Sequence, residues 1–320
     1  MAWCRDAFRV FNEKIKLDAR RLERIDGAVA RFKRFCAGDE QLRIVQSGEV
    51  FLDSSVAMKT AIRPLAGYGF DVDLVFPFNL HYFPANATPS DIVDWFVGRL
   101  KRSAFYRDRL IRLDLSVRID YAGEFCVDIF PATRSLEQHQ PFAIPGRDRE
   151  SWITDDPIGF ENWVATIDRR SGSIDRDGAG QFVRSVRFLK RWRDFAFDLR
   201  SGPTSTLLVT MLGNSEPVCA GPGSLLRNPL YPRNRADAAH LYDMLRLMRG
   251  NLNAARSSLF LNPTNAAEDL AREWGPLHLD EFRQRLQACV DEIGLGIDAT
   301  SEADAISHYR NVFGNAFPAP

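Results

Sequence analysis

The sequence predicts an α+β fold in which a strand-rich first part is followed by a mainly helical part. Patterns with the two-residue alternation of strands lie before about residue 165, whereas helical periodicity dominates the rest of the chain. With 320 residues, of which 45% are hydrophobic, the chain is long enough to form one large domain or two joined lobes. We therefore expect a core domain over residues 1–165 and a helical lobe over residues 166–320.

The order of the elements follows from the spacing of apolar residues. Residues 11–35 predict one long amphipathic helix that ends near Gly38. Apolar and acidic residues alternate over 70–76, which predicts a strand, and two β-rich runs around Ala122-Gly123-Glu124 predict a hairpin. The hairpin strands are 115–121 and 125–130, a short strand is expected at 42–45, and helices are expected at 90–110, 180–199, 204–213, 236–258, 278–293 and 301–313.

Composition argues against several classes of protein. The 42 Lys and Arg residues balance the 42 Asp and Glu residues, so the net charge is zero and there is no strong signal of nucleic-acid binding. The five cysteines and five histidines are scattered, and neither a disulfide framework nor a zinc site is indicated. No apolar run is long enough to span a membrane, and Arg5 and Asp6 interrupt any signal peptide, so we expect a cytoplasmic protein without a membrane partner.

Three aspartates on predicted strands are candidates for a metal site. Asp71 and Asp73 are two residues apart on one strand, so their carboxylates share a face and repel each other unless a cation neutralises them. For an isolated pair, two acids on a solvated face are the commoner explanation. If the strand that carries Asp128 lies beside the first, three carboxylates converge as two-metal phosphoryl transfer requires. Asp120 is better explained by an ion pair with an arginine.

A small, polar segment, 54–60, comes just before the first two aspartates. Its hydroxyl groups and backbone N–H groups are suited to binding phosphate. By itself, such a segment is only a capping signal.

Three long motifs and several shorter ones occur in a single order along the chain. The long motifs are SSVAMKTAIRPL at 54–65, FDVDLV at 70–75 and YAGEFCVDIFPA at 121–132. The shorter ones are DPIGF at 156–160 between Trp152 and Trp163, RFLKRWRD at 187–194, PTST at 203–206, Asn228-Pro229 and the segment 309–318. Together they resemble the bacterial CD-NTases, the cyclic GMP-AMP synthase/DncV-like nucleotidyltransferases of CBASS antiphage systems, over nearly the whole chain.

The resemblance implies a polymerase-β-like nucleotidyltransferase core, with a mixed sheet and helices, joined to a mainly helical lobe. The active site would lie in the cleft between them. Asp71, Asp73 and Asp128 would be the catalytic ligands of two Mg²⁺ or Mn²⁺ ions. The residues expected to bind the nucleotide are Ser54, Ser55, Thr60, Lys190 and Ser205, with Ser55, Lys190 and Ser205 contacting its phosphates.

The implied reaction joins ribonucleoside triphosphates into a cyclic di- or trinucleotide second messenger and releases pyrophosphate. ATP is the first substrate expected, with GTP or a pyrimidine nucleotide as the others. A downstream effector that responds to the product and an activating accessory protein are the further partners implied. The alternatives are a nucleotidyltransferase that modifies an RNA or protein acceptor and a non-catalytic nucleotide sensor. The neutral charge argues against a tRNA acceptor, and the three intact aspartates argue against the sensor.

Two positions bear on the phosphate contacts. The family normally has Gly-Ser where this chain has Ser54-Ser55, and glycine there allows the backbone to approach the phosphates closely. The replacement predicts reduced activity or a slightly shifted loop. Lys190 is one of six lysines among the 42 basic residues, and a lysine kept in an arginine-rich chain suits a phosphate contact. The alternative for Lys190 is a solvated helix position beside Arg191.

Overall fold

The computed structural model describes residues 2–53, 55–133, 141–146, 148–198, 202–215, 236–254 and 260–319. The chain forms two compact units, neither of which is continuous in sequence. We call Leu17–Ala57 together with Arg63–Glu161 the sheet unit. We call Met1–Lys16, Met58–Ile62 and Asn162–Pro320 together the helical unit.

The sheet unit is built on a mixed β-sheet. Strands β2 and β5 are parallel, whereas the other neighbouring strands are antiparallel. The strand order is β1-β2-β5-β4-β3, and β6 joins β5 to β7. The strands are β1 (Phe51–Leu52), β2 (Asp71–Phe78), β3 (Leu110–Arg112), β4 (Val117–Asp120), β5 (Cys126–Thr133), β6 (Phe142–Pro145) and β7 (Trp152–Asp155). The predicted strand at 70–76 and the hairpin of β4 and β5 are confirmed.

Helices cover one face of this sheet. They are α2 (Ala19–Gly38), α3 (Glu40–Val45) and α4 (Pro89–Leu100), with a short 3₁₀ helix at Leu80–Tyr82. Alternate residues of β2, Val72, Leu74 and Phe76, are fully buried. The ring of Phe76 packs edge-to-face on Phe96 of α4, with 4.7 Å between centroids. Asp71 and Asp73 occupy the intervening positions and therefore lie on the opposite face.

Three predictions for the sheet unit's helices and strands are wrong. The helix expected over 11–35 is two helices, because Asp18 accepts a hydrogen bond from the Arg21 N–H and starts α2 there. The strand expected at 42–45 is helical, because the Asp39 carboxylate accepts the first N–H groups of α3. The helix expected over 90–110 ends at Leu100, where turns lead into β3.

The helical unit contains α1 (Ala2–Ile15) and the predicted helices of the second half of the chain. These are α6 (Gln181–Ala196), α7 (Ser205–Ser215), α8 (Asp237–Asn253), α9 (Pro276–Asp298) and α10 (Glu302–Phe313), followed by a 3₁₀ turn at Gly314–Ala316. A hairpin of β8 (Leu261–Asn262) and β9 (Asn265–Asp269) was not predicted. The boundary at residue 161 falls within α5 (Pro157–Arg170). No helix in the described ranges is long and apolar enough to cross a membrane.

This division differs from a single boundary at residue 165. Residues 1–16 belong with the helical unit, because the rings of Phe8 and Phe11 each lie 5.3 Å from the Phe188 ring of α6. The short segment 58–62 also belongs there, and Ile62 pairs with Lys16 in an isolated β-bridge. Aromatic packing thus places the start of the chain with α6 rather than with the sheet.

Candidate active site

The register of β2 and β5 brings the predicted acids together. In this parallel pair, Asp73 lies directly opposite Asp128, and Asp71 lies opposite Cys126. Residues two apart on a strand share a face, so Asp71 lies on the same side as Asp73. The three carboxylates therefore converge at one end of the two central strands, as the sequence predicted.

A fourth charged residue, Arg118 of β4, lies among them. The antiparallel register of β4 and β5 places Arg118 opposite Asp128. Its Nε and Nη2 donate to the two carboxylate oxygens of Asp128 at 2.7 and 2.8 Å, and Nη2 lies 3.1 Å from Oδ1 of Asp71. The hydrogen bond with Asp128 raises the pKa of Arg118 above its ordinary value. One guanidinium thus pairs with two of the three acids.

The charge on Asp73 is poorly compensated. Burial, followed by the nearby carboxylates of Asp128, Asp53 and Asp71, raises the pKa of Asp73 to about 8. Burial also raises the pKa of Asp71, although Arg118 opposes that effect. Arg118 therefore does not fully compensate the charged forms of these carboxyls, and a further cation would favour those charged forms.

Asp53 is a neighbour that the sequence reasoning missed. Its backbone N–H donates to the Asp73 carbonyl at 2.9 Å, so it lies directly beside the acids. Burial, with contributions from Asp155 and Glu161, raises the pKa of Asp53 to about 7. Only the pairing of β1 with β2 brings Asp53 here, and a two-residue strand leaves little signal in a sequence.

The acids fit a divalent cation by chemistry. Carboxylate oxygens are the ligands that Mg²⁺ prefers, and three of them lie on adjoining strands. Among the described residues, no group of three acidic, histidine or cysteine side chains is already arranged as a metal site. Instead, two of the acids contact Arg118. Asp120 accepts the Gly123 N–H at 3.0 Å and so caps the hairpin turn.

The predicted phosphate loop is only partly described. Ser54 and the Asn228-Pro229 motif lie outside the described residues. Ser55 is half-buried in the turn that follows β1, and its role in phosphate binding stays a prediction.

Two other predicted residues meet within the helical unit. Nζ of Lys190 on α6 donates to Oγ1 of Thr60 at 3.2 Å. Thr60 is fully buried and Lys190 is only 3% exposed, so the alternative of a solvated helix position for Lys190 is wrong. Burial, followed by the neighbouring Arg193, lowers the pKa of Lys190 to about 7.

Arginines flank this pair along α6. Arg193 donates from Nη1 to Oγ of Ser205 at 3.0 Å, at the start of α7. Arg187 donates from Nε to the carbonyl of Lys59 at 2.8 Å. Lys190 lies three residues from each, so the three cations lie along one side of the helix. The motif at 187–194 contained both arginines, but their roles were not assigned from the sequence.

The family of the chain follows from its sequence match. The profile of the Second Messenger Oligonucleotide or Dinucleotide Synthetase (SMODS) domain matches residues 1–167, more than half of the chain. The chain belongs to the SMODS family. One relative is named as a c-di-GMP synthase, from Roseivirga ehrenbergii, with 24% identity over 223 residues. The match covers 64% of this chain and 59% of that protein, so the chain spans less than two thirds of the relative's length.

Solved structures of similar proteins confirm the predicted fold. E. coli MS115-1 CdnC, solved with ATP, aligns over 98% of this chain and 99% of its own, with a TM-score of 0.74 and 16% identity. The CD-NTase CdnG from Bradyrhizobium diazoefficiens, solved in complex with GTP, aligns over 98% and 95%, with a TM-score of 0.74 and 14% identity. This SMODS protein therefore has the CD-NTase fold, a polymerase-β-like core with a helical lobe.

Proposed function

We propose that this SMODS protein joins ribonucleoside triphosphates into a cyclic di- or trinucleotide and releases pyrophosphate. The observation that carries the proposal is the pairing of Asp73 with Asp128 across two parallel strands, with Asp71 on the same face. Family membership supports it, and so does the relative named as a c-di-GMP synthase. Antiphage signalling through an effector, with an activating accessory protein, is part of the proposal through the resemblance alone.

The sheet would hold the three acids in place for catalysis. Two Mg²⁺ or Mn²⁺ ions held by Asp71, Asp73 and Asp128 would activate the attacking ribose hydroxyl and neutralise the triphosphate and its leaving group. Backbone hydrogen bonds of β2 and β5 fix the strand positions that carry these carboxylates. Because the backbone is already in register, only side chains need to rearrange, and little reorganisation opposes the reaction.

The cations of α6 would bind phosphate. Lys190, Thr60 and Ser205 supply donors from the helical unit, and Arg193 adds a guanidinium beside Ser205. Burial disfavours the charged form of Lys190, and a phosphate oxygen beside its Nζ would restore that charge. Ser55, with Ser54, would contribute hydroxyl and backbone donors from the loop after β1.

ATP and GTP are the first substrates to test. CdnC was solved with ATP and CdnG with GTP, which supports a purine nucleoside triphosphate for this chain as well. In a cyclase, the nucleotide is both donor and acceptor, so no RNA or protein substrate is needed. The balanced charge of the chain agrees with this choice of acceptor.

The product distinguishes a cyclase from a transferase that modifies a macromolecule. Purified protein with Mg²⁺ or Mn²⁺ and the four α-³²P-labelled ribonucleotides should form a short product whose label resists phosphatase. The same preparation of Asp71→Asn measures any contaminating activity. Label that stays phosphatase-sensitive, or that is incorporated only after RNA or protein is added, would refute the cyclase assignment.

A further inference from the structure

Arg118 occupies the carboxylates that the proposed metal ions would need. It pairs with both oxygens of Asp128 and with Oδ1 of Asp71. A guanidinium that bonds both oxygens of a carboxylate is among the stronger charged pairs in proteins. Arg118 thus forms ion pairs with both of these acids.

A divalent cation and this guanidinium cannot hold the acids independently. Each needs lone pairs of the same oxygens, and two positive charges a few ångströms apart repel each other. The acids themselves differ in access, because the Asp128 side chain is only 8% exposed whereas that of Asp71 is 56% exposed. A cation arriving from solvent therefore meets Asp71 first, at the more weakly held end of the Arg118 contact.

Arg118 is only partly buried, because 27% of its side chain is exposed. Arginine is long and flexible enough to release one partner while its stem stays packed. In contrast, Asp128 is fixed on a central strand and nearly buried, so it is the arginine that would move.

We propose that Arg118 is an internal counter-cation, which pairs Asp71 with Asp128 in the metal-free protein and is displaced when a divalent cation binds. The inference rests on the proposed function, since it assumes that these acids hold the metal. Arg118 is then a positioning residue that acts through the two aspartates. It stabilises the metal-free site against carboxylate repulsion, and it weakens metal binding by competing for the same oxygens.

Measuring the metal affinity in the absence of nucleotide distinguishes an Arg118 that competes with the metal ion from one that only supports the acids. Binding of Mn²⁺ is measured by electron paramagnetic resonance of the free ion, with no triphosphate present. Arg118→Gln should bind Mn²⁺ about tenfold more tightly, within the 5- to 150-fold range common for coupled binding equilibria. It should also melt at a lower temperature than wild type in EDTA. An unchanged or weaker Mn²⁺ affinity would overturn the proposal, because an arginine that only supports the acids cannot hinder the metal.

Arg112→Gln is the matched control. Arg112 is an arginine of the same sheet that pairs with Asp94 at 2.9 Å, away from the candidate site, so its loss should leave the Mn²⁺ affinity unchanged. Arg118→Lys keeps the positive charge but cannot donate to both carboxylate oxygens at once as the guanidinium does, so it should show an intermediate gain in Mn²⁺ affinity. If Arg118→Gln does not fold, the test rests on Arg118→Lys. A lysine variant that binds Mn²⁺ no more tightly than wild type would then overturn the proposal.

A third variant distinguishes failure of this inference from failure of the proposed function. Asp71→Asn should weaken Mn²⁺ binding in both the wild-type and the Arg118→Gln protein. If wild type binds no Mn²⁺, or Asp71→Asn changes nothing, the metal site itself is wrong and the inference falls with it. If Asp71→Asn weakens binding but Arg118→Gln does not strengthen it, only the role of Arg118 is wrong.

Discussion

Nζ of Lys190 donates to Oγ1 of Thr60 at 3.2 Å, although the two residues are 130 positions apart in the sequence. Both side chains are buried, and the lysine lies among cations, between Arg187 and Arg193 on α6. A charged lysine that is buried near other cations lowers the stability of the folded protein unless an anion offsets its charge. This loss of stability is explained if Lys190 binds a phosphate.

The burial of Lys190 predicts a pH dependence of stability. The pKa of Lys190 falls from the ordinary lysine value of 10.5, which applies to the unfolded chain, to about 7 in the folded protein. Between pH 7 and pH 10.5 the unfolded chain therefore binds more protons than the folded protein. Stability should therefore rise with pH across this window, at up to about 1.4 kcal/mol per pH unit. Urea unfolding of wild type and Lys190→Met at several pH values should show the variant's advantage at neutral pH shrinking as the pH increases.

The exposed Lys101 provides the control for this experiment. The stability difference between wild type and Lys101→Met should stay constant over the same range. Parallel pH profiles for wild type and Lys190→Met would show that Lys190 does not titrate as its burial requires.

Ser55→Ala tests the loop after β1. The lost hydroxyl should weaken triphosphate binding by about 0.5–1.5 kcal/mol, or up to ~3 kcal/mol if its partner is a charged phosphate oxygen. Isothermal titration with ATP measures the change. Ser54→Gly, which restores the family's residue, should leave activity unchanged or raise it. An unaltered ATP affinity in Ser55→Ala would remove this serine from the binding site.

The sequence predicts those parts of the site that depend on residues close together in the chain, and it does not predict those that depend on how strands pair. Asp71 and Asp73 were predictable because the two-residue period of a strand fixes their shared face. Asp128 needed one further assumption, that its strand lies beside theirs, and β2 and β5 do pair. Arg118 was missed, although counting back from the turn at Ala122-Gly123 places it opposite Asp128. That count requires the exact hairpin register, which the alternation pattern alone leaves open.

The fold was predictable to a similar degree. Apolar residues at helical spacing located α6 to α10 within a few residues, whereas α5 was not predicted. The break between α1 and α2 was missed, since apolar spacing continues through it and only the capping residue Asp18 marks it. The packing of Phe8 on Phe188 joins residues far apart in sequence, and no local pattern reports such a contact.

Asp168 should be important for the stability of the helical unit. Its buried carboxylate accepts the N–H groups of Gly180 and Val183 at 2.8 and 2.9 Å, and so caps α6, the helix that carries Lys190. Asp168→Ala leaves both N–H groups buried without this acceptor, at about 1–3 kcal/mol each. Urea unfolding measures the loss. A Cβ at residue 180 would lie 2.6 Å from Asp168 atoms, which explains the glycine there.

Asp148 is the matched comparison for Asp168. It also accepts two backbone N–H groups, from Glu150 and Ser151, but in an exposed turn where water can replace it. Asp148→Ala should therefore cost far less stability than Asp168→Ala. Equal losses for the two variants would contradict the account of the buried cap.

The central claim is that the acids of β2 and β5 hold the catalytic metal, and Asp73 is the residue that tests it best. Its environment disfavours a charge, because it is partly buried beside three other carboxyls. Asparagine has nearly the same shape and no charge, so Asp73→Asn should fold with unchanged or higher stability in EDTA. Asp120→Asn, at a neighbouring acid that caps the hairpin turn, should retain both stability and activity.

The deciding measurement is the initial rate of pyrophosphate release by these two variants and wild type, with Mg²⁺ or Mn²⁺ and ribonucleoside triphosphates. We predict that Asp73→Asn loses at least about a hundredfold in rate, the scale of removing one major electrostatic stabiliser of the transition state, while its melting temperature is maintained. A rate within a few-fold of wild type for Asp73→Asn would contradict the assignment of these acids as the catalytic metal site.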